Sequence, residues 1–225
     1  MNLIRLEGAG KTYASESGPV AALRKVDLDL EAGQFVAVVG RSGCGKSTLL
    51  NLCGAMDFPT EGRVLIEGAS TADLDEAALT ALRRSKIGFV FQFFQLLPTM
   101  TAEENVELPA LLAGNTHARS RSRELLGWVE LEGLGARYPH QLSGGQMQRV
   151  AIARALINSP RVILADEPIG NLDTVTGDTV LELLRRTAKE IGALVVMATH
   201  SLESAEKCDV VVRMKDGGID HVERR

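Results

Sequence analysis

Nowhere in its 225 residues does the chain carry an apolar run approaching the ~18 residues that a membrane-spanning helix requires. No span is therefore predicted. The first residues, Met1-Asn2-Leu3-Ile4-Arg5-Leu6, alternate as a strand does and lack the long apolar stretch of a secretion signal. Cysteine is scarce: Cys44, Cys53 and Cys208 form an odd set without metal-ligand spacing. A disulfide framework and a zinc module are thereby excluded, and a reducing cytosol is the simplest setting. Excess positive charge is missing too, since the net charge is −4. The sequence thus has no electrostatic footprint for indiscriminate nucleic-acid binding, and no nucleic-acid partner is expected. Internal repeats, low-complexity tracts and long linkers are also absent. What remains is 45% hydrophobic and 24% charged, the composition of an ordinary soluble globular chain with enough residues to bury a full core.

The most informative segment present is Gly40-Arg41-Ser42-Gly43-Cys44-Gly45-Lys46-Ser47, followed by Thr48. It fits G-x-x-x-x-G-K-[ST] and lies between the apolar run 35–39 and a helix-like run at 46–52, the strand–loop–helix setting that this pattern requires. Glycines let the backbone wrap an anion with its N–H groups inward, and the helix N-terminus adds a favourable dipole. Lys46 is expected to reach the β- and γ-phosphates, and the Ser47 hydroxyl to bind Mg²⁺. Cys44 reads as a small residue that fits the loop.

Hydrophobic patterning predicts half-buried antiparallel strands at 2–7 and 21–30, a turn at 31–34, and buried strands at 35–39 and 87–91. A turn at 59–62 leads to a strand at 63–67, and a helix is expected at 76–85. From about 95 to 158 the pattern turns helical. Thr101-Ala102-Glu103-Glu104 has capping-box form, Pro109 is expected to kink or shorten the helix it opens, and the Arg-rich stretch 115–124 leads into a second helix near 125–129. A third spans about 144–158. Alternation then resumes with strands at 162–165, 193–199 and 210–214, a helix at 175–190 and a short helix after Ser201. These β–α units imply a mostly parallel sheet wrapped by helices. The expected organisation is one α/β domain: residues 1–94 and 159–225 form the core with an antiparallel β subdomain, and 95–158 form an inserted helical subdomain.

Asp166 and Glu167 directly follow the buried run 162–165, at the sheet edge where open α/β folds bind ligands. Asp166 can hold Mg²⁺ through water, and Glu167 is placed to polarise a water that attacks the γ-phosphate. Leu142-Ser143-Gly144-Gly145-Gln146 is a second glycine-rich start to a helix, with free N–H groups that suit a γ-phosphate. One nucleotide does not need two such ends in one chain, so a head-to-tail homodimer sharing two nucleotides follows. Gln92 and His200, each just past an apolar run, belong at the same sheet edge.

Taken together, the phosphate loop, Gln92, Leu-Ser-Gly-Gly-Gln, Asp166-Glu167, Asn171-Leu172-Asp173 and His200 closely resemble the ATP-binding subunit of an ABC transporter over essentially the whole chain. The resemblance implies an α/β P-loop NTPase fold and an ATPase that uses ATP and Mg²⁺. It also implies a second copy and integral-membrane permease subunits as partners, and a cytoplasmic location on the inner face of the cell membrane. By it, Tyr13 stacks on adenine, and Gln92 touches Mg²⁺ and the attacking water. Ser143, Gly145 and Gln146 complete the opposite subunit's site, Asp173 links the two sites, and His200 holds the γ-phosphate. Phe91-Gln92-Phe93-Phe94-Gln95-Leu96-Leu97-Pro98 and Thr101-Ala102-Glu103-Glu104-Asn105-Val106 look like the branch serving lipoprotein release and macrolide or antimicrobial-peptide efflux, although Ile169 stands where that branch commonly has Thr. The alternative reading, a soluble ATPase of this type acting on nucleic acid or ribosomes, usually brings two ATPase units or a long coiled-coil insertion. The residues between Ser47 and Leu142 leave room only for a compact helical insert.

Overall fold

Strand β3 (Phe35–Val39) shows how the molecule is built: all five residues are buried, and consecutive side chains serve different cores. Phe35, Ala37 and Val39 point into a cluster shared with the helical region, whereas Val36 and Val38 join a cluster beneath the N-terminal strands. A strand covered on both faces must be apolar where it is covered, and β7 (Val162–Asp166) and β8 (Leu194–Thr199) follow the same rule up to their polar last residues. The computed structural model describes residues 2–16 and 18–225; Met1 and Ser17 lie outside the described residues.

A four-stranded antiparallel sheet comprises β1 (Asn2–Tyr13), β2 (Val20–Glu31), β4 (Glu61–Ile66) and β5 (Ala69–Ser70), in the order β2-β1-β4-β5. The larger sheet also contains β6 (Ile87–Phe91), β9 (Val210–Lys215) and β10 (Gly218–Arg224), in the order β10-β9-β3-β8-β7-β6. Its strands from β9 to β6 are parallel, and β10 pairs antiparallel at the edge. Helices α1 (Lys46–Cys53) and α2 (Glu76–Lys86) separate the first strands. Between β6 and β7 come α3 (Ala102–Leu112), α4 (Ala118–Trp128) and α5 (Gly144–Leu156), which pack on one another. Helices α6 (Thr174–Glu190) and α7 (Leu202–Glu206) flank β8.

Several elements differ from the sequence expectation. The Arg-rich stretch is itself helix, since α4 begins at Ala118. Arg119 and Arg123 both reach Glu103 of α3, at 3.1 and 2.8 Å, so their charge meets an acid on the neighbouring helix. Pro109 lies inside α3, which continues past it to Leu112. The capping box at Thr101 and Glu104 forms as expected. Strand β10 is additional. Asp216 and Gly217 both take positive φ (48° and 83°), the geometry of a tight hairpin turn for which Asp-Gly is a strong signal.

Candidate nucleotide-binding site

At the carboxyl end of β3 the chain turns through the loop 40–45 into α1. Gly43 (φ 78°) and Gly45 (φ 105°) adopt left-handed backbone, and a Cβ on Gly45 would lie 2.5 Å from the Ala22 carbonyl. Glycine is required there on both counts. Gly45 is the N-cap of α1 and offers no side-chain cap, so the first-turn N–H groups face the loop's interior without a side-chain acceptor. Lys46 is only 9% exposed, and its ammonium donates to the Gly40 and Arg41 carbonyls at 2.9 and 3.3 Å. Cys44 is buried, and its Sγ would lie 2.5 Å from a Cβ on Gly40, so the thiol fills the space glycine leaves.

Four neighbouring parallel strands, in the order β3-β8-β7-β6, deliver polar groups to one edge. The loop follows β3, His200 follows β8, Asp166 ends β7 with Glu167 just beyond, and Gln92 follows β6. They converge on a cleft of about 460 Å³ lined by Ser42, Gly43, Gly45, Lys46, Ser47 and Thr48 on one side. Gln92, Asp166, Glu167 and His200 line the other side, and Ala22 of β2 completes the wall. Nothing in the sequence pattern singles out Ala22. Its neighbour across the sheet gap, Gly45, explains its position.

Glu167 holds a strained backbone, φ 46° in a non-glycine residue, with its N–H bonded to the Ala198 carbonyl at 3.0 Å. Its carboxylate meets His200 Nδ1 at 3.0 Å and accepts from the His200 backbone N–H at 3.4 Å. The acid and the histidine are therefore held against one another. Gln92 and Asn171 bond reciprocally: the Gln92 amide donates to Asn171 Oδ1 at 3.4 Å, and the Asn171 amide donates to the Gln92 carbonyl at 3.3 Å. The segment after Gln92 is fixed from α5, where Arg154 donates to the Phe94 and Gln95 carbonyls at 2.8 and 2.5 Å. Phe94 and Gln95 both have positive φ, and burial pulls the Arg154 guanidinium below its ordinary pKa.

The remaining sequence-predicted residues lie outside this cleft. Gly40, Arg41 and Cys44 are on the far side of the loop and line a neighbouring cavity with Arg213 and Lys215. Ser143 caps α5: its Oγ accepts from the Gln146 N–H at 3.3 Å, and the Gln146 side chain accepts from the Ser143 N–H at 2.9 Å. Gly144 lies against Leu172 and Phe94. A Cβ on Gly145 would sit 1.9 Å from Thr176 Cγ2 of α6. Asp173 caps α6, accepting from the Thr176 N–H at 3.1 Å and its hydroxyl at 2.7 Å. Those two hydrogen bonds hold the exposed Asp173 carboxyl below its ordinary pKa. Helix α5 and the Asp173 turn are thus one packed unit. Tyr13, 38% exposed, does not line the cleft, but its hydroxyl donates to Asp57 Oδ2 at 2.7 Å.

Ser47, Asp166 and Gln92 offer a hydroxyl, a carboxylate and a carboxamide, an oxygen set that suits Mg²⁺. Among the described residues no group of three His, Cys, Asp or Glu forms a metal cage.

The strand–loop–helix and the polar edge across β3, β8, β7 and β6 define a P-loop nucleotide-binding cassette. Comparison with known proteins agrees. The ABC transporter family profile matches residues 23–170. MJ0796 of Methanocaldococcus jannaschii, an uncharacterized ABC transporter ATP-binding protein, is 46% identical over 99% of this chain and 97% of its own length. Its dimeric post-hydrolysis structure, bound to ADP and Pi, superposes with a TM-score of 0.90 over 98% of both chains. The lipoprotein-releasing system ATP-binding protein LolD of Maricaulis maris is 46% identical over 96% of this chain and 95% of its own. The macrolide export ATP-binding/permease protein MacB of Brucella melitensis is 48% identical over 96% of this chain, which spans about a third (34%) of that relative. The chain belongs to the ABC transporter family.

Proposed function

We propose that this protein is the ATP-hydrolysing subunit of a membrane transporter, and that two copies close around two ATP molecules to drive a conformational change in a permease. The observation that carries this reading is the division of the site: one cleft gathers the loop 40–48, Gln92, Asp166, Glu167 and His200, while the Ser143 helix start stands outside it. A cleft with one wall missing and a phosphate-suited helix end without a cleft complement each other only between two copies. The dimeric form of the MJ0796 relative, with ADP and Pi bound, supports this arrangement.

In the proposed mechanism Lys46 leaves its loop carbonyls for the β- and γ-phosphates, which the N–H groups of the loop and α1 surround. Ser47, Gln92 and, through water, Asp166 would hold Mg²⁺, which would supply positive charge to offset that of the phosphates. Glu167 accepts a proton from the attacking water while His200, in contact with that carboxylate, steadies the γ-phosphate. Ser143, Gly144, Gly145 and Gln146 of the second copy cover the γ-phosphate, and Asp173 connects the two sites. Catalysis is then mostly positioning and charge stabilisation. We read residues 95–158 as a helical subdomain inserted in the α/β core and the chain as acting at the inner face of the cell membrane, held there by the permease. Among the described residues, no helix is long and apolar enough to cross a membrane. The similarity to LolD and MacB favours the lipoprotein-release and efflux branch.

The test is Glu167→Gln. It should bind ATP as the parent does, elute as a dimer with ATP, and lose at least about 100-fold in turnover, the scale of general-base catalysis. Parental turnover in the folded variant would remove Glu167 from the role of base.

A further inference from the structure

The loop 54–60, which links α1 to β4, has no part in the phosphate site, yet it carries a charged network that meets Tyr13. Asp57 accepts the Tyr13 hydroxyl on Oδ2 at 2.7 Å and the Lys11 ammonium on Oδ1 at 2.5 Å. Lys11 also donates to the Phe58 carbonyl at 2.8 Å, and its ammonium stands 5.0 Å from the centre of the Tyr13 ring. The Phe58 N–H closes back on Asp57 Oδ1 at 2.7 Å. Surface ion pairs ordinarily hold little geometry, but this one is sheltered, with side-chain exposures of 13% for Lys11 and 26% for Asp57.

Both ends of the network are anchored. The backbone N–H groups of Met56 and Asp57 bond the Asn51 carbonyl in the last turn of α1, at 2.9 and 3.4 Å. On the strand side, the Thr60 N–H bonds the Gly10 carbonyl at 2.8 Å, and the Thr12 N–H bonds Thr60 Oγ1 at 3.1 Å. Thr48, in the first turn of α1, lines the nucleotide cleft, and its side chain works against the upward shift of the Tyr13 phenol pKa. The ring is therefore held by its phenol end against the loop that leaves α1, while more than a third of the residue stays exposed. Burial opposes ionisation of Asp57, but the bonds from Lys11, Tyr13 and the Phe58 N–H outweigh it and hold the carboxyl below its ordinary pKa. Burial first, and then the bond to Asp57, raise the pKa of the Tyr13 phenol, so it stays a donor.

We propose that Asp57 and Lys11 are positioning residues that clamp the Tyr13 ring as a platform for the adenine base, setting affinity for the base without contacting the phosphates. The clamp rests on the reading of Tyr13 as the adenine-stacking residue. It makes α1 the common scaffold of both halves of the nucleotide, with its first turn at the phosphates and its exit loop behind the base.

The experiment compares ATP with inorganic tripolyphosphate, which has the phosphates and no base, by titrating each into the intact chain. Tyr13→Ala should raise the Kd for ATP about 10-fold, the scale of base–aromatic stacking, and leave that for tripolyphosphate unchanged. Asp57→Ala should raise the Kd for ATP about 3- to 10-fold, again sparing tripolyphosphate, and should add nothing in a Tyr13→Ala background. Lys11→Met, which keeps the apolar stem, should reproduce the pattern and serves if Asp57→Ala folds poorly. Equal losses for both ligands, or a full Asp57→Ala effect without the Tyr13 ring, would overturn the clamp. So would unchanged ATP affinity in both clamp variants while Tyr13→Ala weakens it. If Tyr13→Ala itself leaves ATP affinity unchanged, the platform reading falls and takes the clamp with it, a result distinct from failure of the clamp alone.

Discussion

Two helices of this chain start on glycine-rich turns suited to phosphate, and their first turns are built in opposite ways. Helix α1 begins at Gly45, which has no side chain and caps nothing; its N–H groups and Lys46 face a cleft already shaped by four strand ends. Helix α5 begins at Ser143, whose hydroxyl and backbone are both engaged with Gln146, and it lies outside that cleft. The first gathers its loop, cation and acids within one chain, and its left-handed turns at Gly43 and Gly45 are ones that other residues rarely adopt. The second is self-satisfied, held by its own cap and by Thr176 packed against Gly145, and in the proposed dimer it would meet a phosphate that another copy brings.

This contrast can be broken at three points. The largest effect is expected at Lys46→Ala, which removes the cation from the receptor. The Kd for ATP should rise about 100-fold or more, as for loss of one partner of a desolvated charge contact, and calorimetric titration would show it. A smaller loss would mean that the loop amides alone carry the phosphates. Next comes Gly145→Ala. The added methyl overlaps Thr176 Cγ2, and moving Thr176 breaks its bonds to Asp173. Stability should fall by about 1–3 kcal/mol, read by denaturant unfolding. Adding Thr176→Ser removes the offending methyl and keeps the hydroxyl, so stability should return. If the restored protein still fails to dimerise with ATP, Gly145 serves the partner's nucleotide as well as packing. Full recovery of dimerisation would reduce it to a packing residue. The smallest effect belongs to Ser143→Ala, which deletes the cap and should cost about 1 kcal/mol of stability. Helix α1 has no side-chain cap whose removal could be compared.

The receptor half was legible in the sequence because its chemistry is local. A run of five apolar residues, two glycines and Lys-Ser dictate strand, loop and helix with no outside help. The acids at 166–167, Gln92 and His200 were legible for a related reason: a parallel strand must end somewhere, and polar residues after apolar runs mark those ends. Contacts between distant segments were not legible. Thr176 against Gly145, Asn171 paired with Gln92, and Asp57 with Tyr13 each join residues far apart in the chain, and no periodicity records them. The Arg-rich start of α4 was misread because its charges look solvated until Glu103 of α3 is placed beneath two of them. The Asp216-Gly217 hairpin was the opposite case, a strong local signal that alternation alone leaves unused.

Arg154 has a mechanical consequence. It lies near the far end of α5, about 15 Å along the axis from Gly144 at 1.5 Å per residue, and its planar fork grips two successive carbonyls of the strand-exit segment beside Gln92. A lever joined at such a point transmits tilt, not only translation: swinging the Ser143 end toward a neighbouring copy turns the grip at the other. In the proposed dimer, movement at the start of α5 would therefore reach the segment that follows Gln92 through this one arginine.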